Sequence, residues 1–126
     1  ALGGDHPELA SRFSAVGQPV LVPGDMGTAS WVLAGPKSGG NDAFSSSCHG
    51  AGRRLSRTAA RKLIDSDQLR AQLEASGVHV RAKTPNVLAE EAPDAYKDVD
   101  EVIALTASAN LARPVARLRP FAVIKG

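Results

Sequence analysis

The chain has 126 residues, 43% of them hydrophobic, with a formal charge of +2 and a pI near 9.0. That length suits one domain and excludes two, and no apolar run approaches the roughly 18 residues that a membrane-spanning helix requires. Alanine supplies 21 residues, while Phe, Trp and Tyr supply only three, one and one, so the core is expected to be thin and to lean on other protein surface.

Residues 1–19, rich in Gly, Pro, Ser and charge, read as an irregular lead-in. "QPVLVPG", 18–24, predicts a short strand stopped by Pro23-Gly24, and "GTASWVLAG", 27–35, a second strand centred on Ser30 to Ala34. "PKSGGNDA", 36–43, reads as a loop, and "FSSSC", 44–48, as a short strand whose serines need hydrogen-bond partners. Gly50-Ala51-Gly52 then leads into a helix expected from about 53 to 64. A second helix follows, with Ser66 as its N-cap, Leu69 and Leu73 on its apolar face and Gly77 past its end. "VHVRA", 78–82, alternates as an exposed strand would. Thr84-Pro85 is an N-cap followed by a proline at the first helical position, opening a short helix that ends before Pro93. Val99, Val102, Ile103 and Thr106 recur at helical spacing, and "VARLRPFAVIKG" reads as a terminal strand. The class is α+β: a mixed sheet with packed helices and no regular βαβ alternation.

Charge is unevenly placed. Arg53, Arg54, Arg57, Arg61 and Lys62 cluster together, Arg113, Arg117, Arg119 and Lys125 gather near the end, and acids concentrate in "EEAPDAYKDVDE", 90–101. The single Cys48 excludes an intrachain disulfide and fits a reducing compartment, and no secretory signal is present, so a cytoplasmic location is expected. The first residue is Ala1 rather than Met, which with the thin core favours a segment of a longer chain.

The chemistry-bearing stretch is Cys48-His49-Gly50-Ala51-Gly52-Arg53. Neighbouring side chains on a strand face opposite ways, so one of Cys48 and His49 should be buried and the other presented, and the two should not form a catalytic pair. Glycines leave backbone open to a ligand, a helix N-terminus attracts anions, and Arg53, Arg57 and Arg61 at four-residue spacing would extend a positive face. Such a pattern suits an imidazole beside a phosphate site; it equally suits a strand-turn-helix with a structural histidine and a solvated arginine stripe. "VPGDMGTAS", 22–30, offers tight turns plus the polar Asp25, Thr28 and Ser30, as a nucleotide loop or a plain connector would. Tyr96 and Lys125 carry little alone. His6, His49, His79 and Cys48 lack metal-ligand spacing, so no metal site is expected among them, and no serine sits in a nucleophile elbow.

Together, "PGDMGTASWVL", "SSSCHGAGRRLSR", "EEAPDAYKDVDEV" and "ARLRPFAVIKG" closely resemble, in order and spacing, the C-terminal part of the RtcB-type RNA-splicing ligases, over essentially all of the chain from about residue 5 to Gly126. The resemblance implies GTP- and manganese-dependent joining of an RNA 3′-phosphate or 2′,3′-cyclic phosphate to a 5′-hydroxyl, in tRNA splicing or RNA repair. It implies that His49 is the nucleophile that takes GMP from GTP. It places Pro23, Gly24, Asp25, Met26 and Ser30 around the guanylate, Gly50, Ala51 and Gly52 close to the nucleotide, Tyr96 against it, Lys125 at the guanine, and Arg53 and Arg57 at substrate phosphates. The Mn²⁺ ligands, Cys and His residues in this family, lie upstream, so residues 1–126 are expected to be a C-terminal segment of a larger single catalytic domain, inactive alone. Implied partners are the RNA ends, GTP, the upstream part of the same polypeptide and an archease-type activator, with no membrane. Two positions depart from the family pattern: Asp25, where Ser is common, and Trp31, where Tyr is common. The alternatives from other classes are a non-catalytic basic nucleic-acid-binding module on the Arg53/Arg57/Arg61 face, and a purely structural fragment.

Overall fold

A computed structural model of the chain describes residues 1–37 and 43–126. The first apolar run forms strand β1 (Pro19–Pro23) and the second forms β2 (Ser30–Ala34), paired antiparallel with Val22 opposite Trp31 and Pro23 opposite Ser30. Alternation sorts their side chains: Val22 and Leu33 are fully buried, whereas Leu21 stays 70% exposed on the other face. Strand β4 (Arg113–Leu118) pairs antiparallel with the far side of β2, with a register shift between Val32 and Leu33, giving the order β1-β2-β4.

Between β2 and β4 the described residues form helices and one strand, besides a 3-10 turn at Pro93–Ala95. These helices and the strand are α1 (Arg57–Leu63), α2 (Ser66–Ala75), β3 (His79–Ala82), α3 (Pro85–Glu90) and α4 (Val99–Ser108). After β4 comes β5 (Ala122–Lys125), which pairs in parallel with β3, Val80 lying opposite Val123 and Ala82 opposite Lys125. The class is therefore α+β, with both antiparallel and parallel pairing. Two apolar clusters hold it together. One joins Val22 and Leu33 to Val99 and Ile103 of α4; the other packs Leu69 and Leu73 of α2 with Met26, Val80 and Leu88.

Local signals explain most boundaries. The Thr84 hydroxyl accepts from the Val87 N–H at the start of α3, with Pro85 just inside the helix. Gly77, at a φ of 87°, turns the chain out of α2. Val99, Ile103 and Thr106 form the buried face of α4.

Several expectations fail for identifiable reasons. Residues 44–48 are not a strand, because Phe44 and Ser45 take positive φ values of 53° and 58° that break an extended ladder. The helix expected from residue 53 starts only at Arg57, where the Ser56 hydroxyl accepts from the Ala59 N–H. Arg53 instead bridges to Tyr96, and the N–H groups of Arg54 and Leu55 donate to the Ala95 carbonyl. The cap of α2 is Asp65 rather than Ser66, its carboxylate accepting from the N–H groups of Asp67 and Gln68. The terminal run is two strands in two sheets, interrupted at Arg119–Phe121, where Pro120 offers no N–H to a ladder. β3 is half-buried rather than exposed, since Val80 is in the core. The lead-in is ordered: Ala1, Gly3 and Gly4 are buried, with a single 3-10 turn at Ser11–Phe13. The loop expected over 36–43 lies largely outside the described residues.

Candidate functional site

The histidine-bearing stretch is held between the end of β1 and the segment after α3. The Ala51 N–H donates to the Pro23 carbonyl at 3.1 Å, and the Lys97 N–H donates to the Gly52 carbonyl at 2.9 Å. Cys48 packs against the first core cluster with its Sγ 3.3 Å from the Thr106 hydroxyl, while His49 is exposed. Cys48 is half-buried and His49 exposed, a weaker contrast than the buried-and-presented pair expected, and the stretch is not a ladder-paired strand.

His49 lines a cavity of about 560 Å³ together with Cys48, Gly50, Ala51 and Gly52. A smaller hollow of about 280 Å³ is lined by Asp25, Met26 and Ser30, with Pro120, Ala122 and Val123 along its far wall. Pro23, Gly24, Glu91, Tyr96 and Lys125 line both, so the two are lobes of one cleft. The residues singled out from the sequence for nucleotide contact thus meet here, brought together from the end of β1, the loop into β2, the glycine stretch, the segment after α3 and β5. Within the cleft, Asp25 uses Oδ1 to accept from the backbone N–H groups of Gly27 and Thr28, both at 2.8 Å, which folds its own loop. Met26 borders the smaller lobe but is only 2% exposed and belongs to the second core cluster.

Where the lobes meet, four polar side chains interlock. The Tyr96 hydroxyl donates to Glu91 Oε2 at 2.8 Å and accepts from Arg53 Nη1 at 3.0 Å. Lys125 Nζ lies 3.5 Å from the same Oε2, and Arg53 Nη1 lies 3.5 Å from Oε1. Burial disfavours the Glu91 carboxylate, but the Tyr96 hydrogen bond and the charges of Lys125 and Arg53 outweigh it and hold its pKa below the ordinary carboxylate value. Burial, with the bond and charge of Glu91, raises the Tyr96 phenol above its usual value.

Arg53 and Arg57, unlike the other candidates, line neither lobe. Arg53 is not on α1, and its guanidinium is engaged within the chain. Nε donates to the Leu55 carbonyl, Nη2 to the Glu90 carbonyl, and the group lies 4.8 Å over the Tyr96 ring. Arg57 is on α1, facing Glu90 at 3.6 Å, and Arg61 shares that carboxylate at 3.4 Å. The single arginine face expected over 53, 57 and 61 is therefore two separate arrangements, each partly neutralised by an acid of "EEAPDAYK". Nor do the glycines run straight into α1, since residues 53–56 intervene before its first turn. Among the described residues no three His, Cys, Asp or Glu side chains gather into a cluster able to hold a metal, so the implied manganese finds no ligand set here. No described helix is long and apolar enough to cross a membrane.

Glu91 was not singled out from the sequence. It sits in the acidic run 90–101, and its place five residues before Tyr96 is the one local signal.

The model of the family described as tRNA-splicing ligase RtcB matches residues 1–126. A tRNA-splicing ligase RtcB from Thermococcus kodakarensis is 52% identical over 121 residues, which are 96% of this chain and 25% of that protein. An RNA-splicing ligase RtcB from Mycobacterium tuberculosis is 53% identical over 121 residues, 96% of this chain and 28% of the relative. The corresponding protein of Pyrococcus abyssi is 50% identical over the same share of this chain and 13% of its own length. The chain thus spans little more than a quarter of these relatives at most. The family's model extends from the first residue to the last, across the cleft and both apolar clusters: this chain belongs to the RtcB family of tRNA-splicing ligases.

Proposed function

We propose that this chain contributes the guanylyl-accepting side of an RNA ligase active site, with His49 as the nucleophile. The observation that carries the reading is the cleft. An exposed imidazole stands beside two glycines that leave backbone accessible, and Tyr96 and Lys125 stand at the junction with the second lobe.

In the first step an unprotonated nitrogen of His49 attacks the α-phosphorus of GTP. A P–N bond forms, the bond to the β-bridging oxygen breaks, pyrophosphate leaves, and the ring's other N–H proton passes to solvent. The imidazole then yields GMP to the RNA 3′-phosphate, breaking the P–N bond; a 2′,3′-cyclic phosphate must first be opened by water. In the last step the RNA 5′-hydroxyl attacks the activated 3′-phosphate and GMP leaves. Lys125 supplies N–H donors and Tyr96 an aromatic face and oxygen to the nucleotide, while Gly50 to Gly52 keep bulk away from the phosphates. Asp25 spends Oδ1 on its own loop, so its first role here is to shape the turn that borders the smaller lobe. The described residues do not form a manganese ligand set, so no step is assigned to that ion here. On this reading the 126 residues alone do not ligate. The complete enzyme works in the cytoplasm on RNA ends left by splicing or cleavage, alongside the rest of its polypeptide and an archease-type activator.

The rival reading, a basic nucleic-acid-binding surface, is disfavoured by the pairing of Arg57 and Arg61 with Glu90 and by the internal engagement of Arg53. Labelled GTP and Mn²⁺ incubated with the native gene product that carries this chain should leave an acid-labile GMP–protein adduct. His49→Ala should abolish it; an undiminished adduct in that variant would remove His49 from the role.

A further inference from the structure

Glu91 lines both lobes of the cleft with its side chain 21% exposed, and three side chains from separate parts of the chain converge on its carboxylate. Each bond restricts what the partner offers a ligand. The Tyr96 hydroxyl has one proton, and that proton goes to Glu91 Oε2 at 2.8 Å, so toward the cleft the phenol oxygen can only accept. One face of its ring is covered by the Arg53 guanidinium, which also donates to the hydroxyl. Lys125 has three ammonium protons; Glu91 at 3.5 Å takes one and leaves two donors at the junction of the lobes. Without the carboxylate, the phenol proton would be free to rotate toward a ligand and the four-carbon lysine stem would lose its anchor.

We propose that Glu91 is a positioning and specificity-determining residue: it sets the hydrogen-bonding polarity of the cleft, presenting Lys125 as donor and Tyr96 as acceptor, and so favours a 6-oxopurine nucleotide over a 6-aminopurine one. A 6-oxopurine offers an acceptor at O6 beside a donor at N1–H, complementary to that donor and acceptor, whereas a 6-aminopurine reverses both and leaves donor facing donor and acceptor facing acceptor. The inference rests on the nucleotide-accepting reading of the cleft and names the residue that governs its choice of base.

The test uses the native gene product with GTP and ATP, measuring His49-dependent adduct formation, equilibrium binding of each nucleotide, and melting temperature. Glu91→Gln keeps the size and an acceptor but loses the charge. It should raise the KM for GTP about tenfold, move the limiting rate of adduct formation far less, and lower the GTP-over-ATP preference by a similar factor. Glu91→Asp, which restores the carboxylate on a shorter stem, should recover part of the preference and gives a second reading should Glu91→Gln fail to fold. An unchanged GTP-over-ATP preference in both variants overturns the proposal, as does a KM and limiting rate that fall off together with the preference intact. If the wild type forms no His49-dependent adduct, the catalytic reading of the cleft fails instead, and the binding preference of the same variants still decides the role of Glu91.

Discussion

Substituting the two glycines that follow His49 separates folding from ligand approach. A Cβ built on Gly50 would meet only the Pro23 carbonyl oxygen at 3.5 Å and Pro23 Cγ at 3.9 Å, which is ordinary contact, and its backbone is not left-handed. Gly50→Ala should therefore leave stability unchanged, or raise it by about 0.4–1 kcal/mol through the unfolded chain's lower entropy. Pro23 and Gly50 both line the larger lobe, so on the proposed nucleotide-accepting reading the new methyl takes space from the ligand. Overfilling a fitted site costs about 1–3 kcal/mol, which corresponds to roughly 5- to 150-fold weaker GTP binding. Gly52 is the opposite case. Its Cβ would meet nothing nearer than Lys97 Cδ at 3.9 Å, but its φ of 77° makes any side chain strained, at about 1–2 kcal/mol. Thermal melting and GTP titration of both variants in the native gene product give the comparison. Gly50→Ala should lose GTP affinity at an unchanged melting temperature, and Gly52→Ala should lose melting temperature. Wild-type GTP affinity in Gly50→Ala, or a melting loss there equal to that of Gly52→Ala, would refute the reasoning.

Three further outcomes follow from the same geometry. Asp25→Ala removes the acceptor for two loop N–H groups and should lower stability by about 1 kcal/mol, whereas Asp25→Asn, which keeps an acceptor, should stay near wild type in denaturant titrations. The pH dependence has a defined sign. Asp100 is held below its ordinary value of 3.8 by hydrogen bonds from Arg117 and Trp31, and Glu91 below 4.5 against its own burial, so both stabilise fully above those values and lose that contribution as pH falls through the lowered ones. Tyr96, raised above 10.0 chiefly by burial, contributes below that value and loses its contribution as pH rises past it; melting temperatures of wild type and Tyr96→Phe across pH should show an alkaline fall that only the wild type draws from this residue. Glu90→Gln should change stability by less than about 0.5 kcal/mol, since Arg57 is well exposed, yet release two cations, so that RNA binding strengthens and its salt dependence steepens in filter-binding titrations.

What the sequence made legible was mostly local. The Thr84-Pro85 start, the Gly77 stop and the Val99–Thr106 stripe are each written in a few neighbouring residues, and each is found where expected. That Cys48 packs against the core while His49 is exposed was partly legible for the same reason. What was not legible depends on distant pairing. Arg53 and Arg54 have good helical spacing with Arg57, but their backbone is drawn to Ala95 and Tyr96 more than forty residues away, which delays the helix to Ser56. The break between β4 and β5 is visible as Pro120, yet nothing local says that the two halves join different sheets. The cleft residues came from a resemblance between motifs, not from any periodicity, and the resemblance carried no word of Glu91, whose importance appears only when Tyr96, Lys125 and Arg53 are brought around it.

The most direct measurement is the position of the guanylyl group. Trypsin cutting after Lys37 and Arg53 releases a peptide in which His49 is the sole histidine. After incubation of the native gene product with GTP and Mn²⁺, tandem mass spectrometry should find GMP on that peptide, at His49, through a linkage that acid cleaves and mild alkali spares. GMP carried on a lysine or on any other peptide, with residues 38–53 unmodified, would contradict the account.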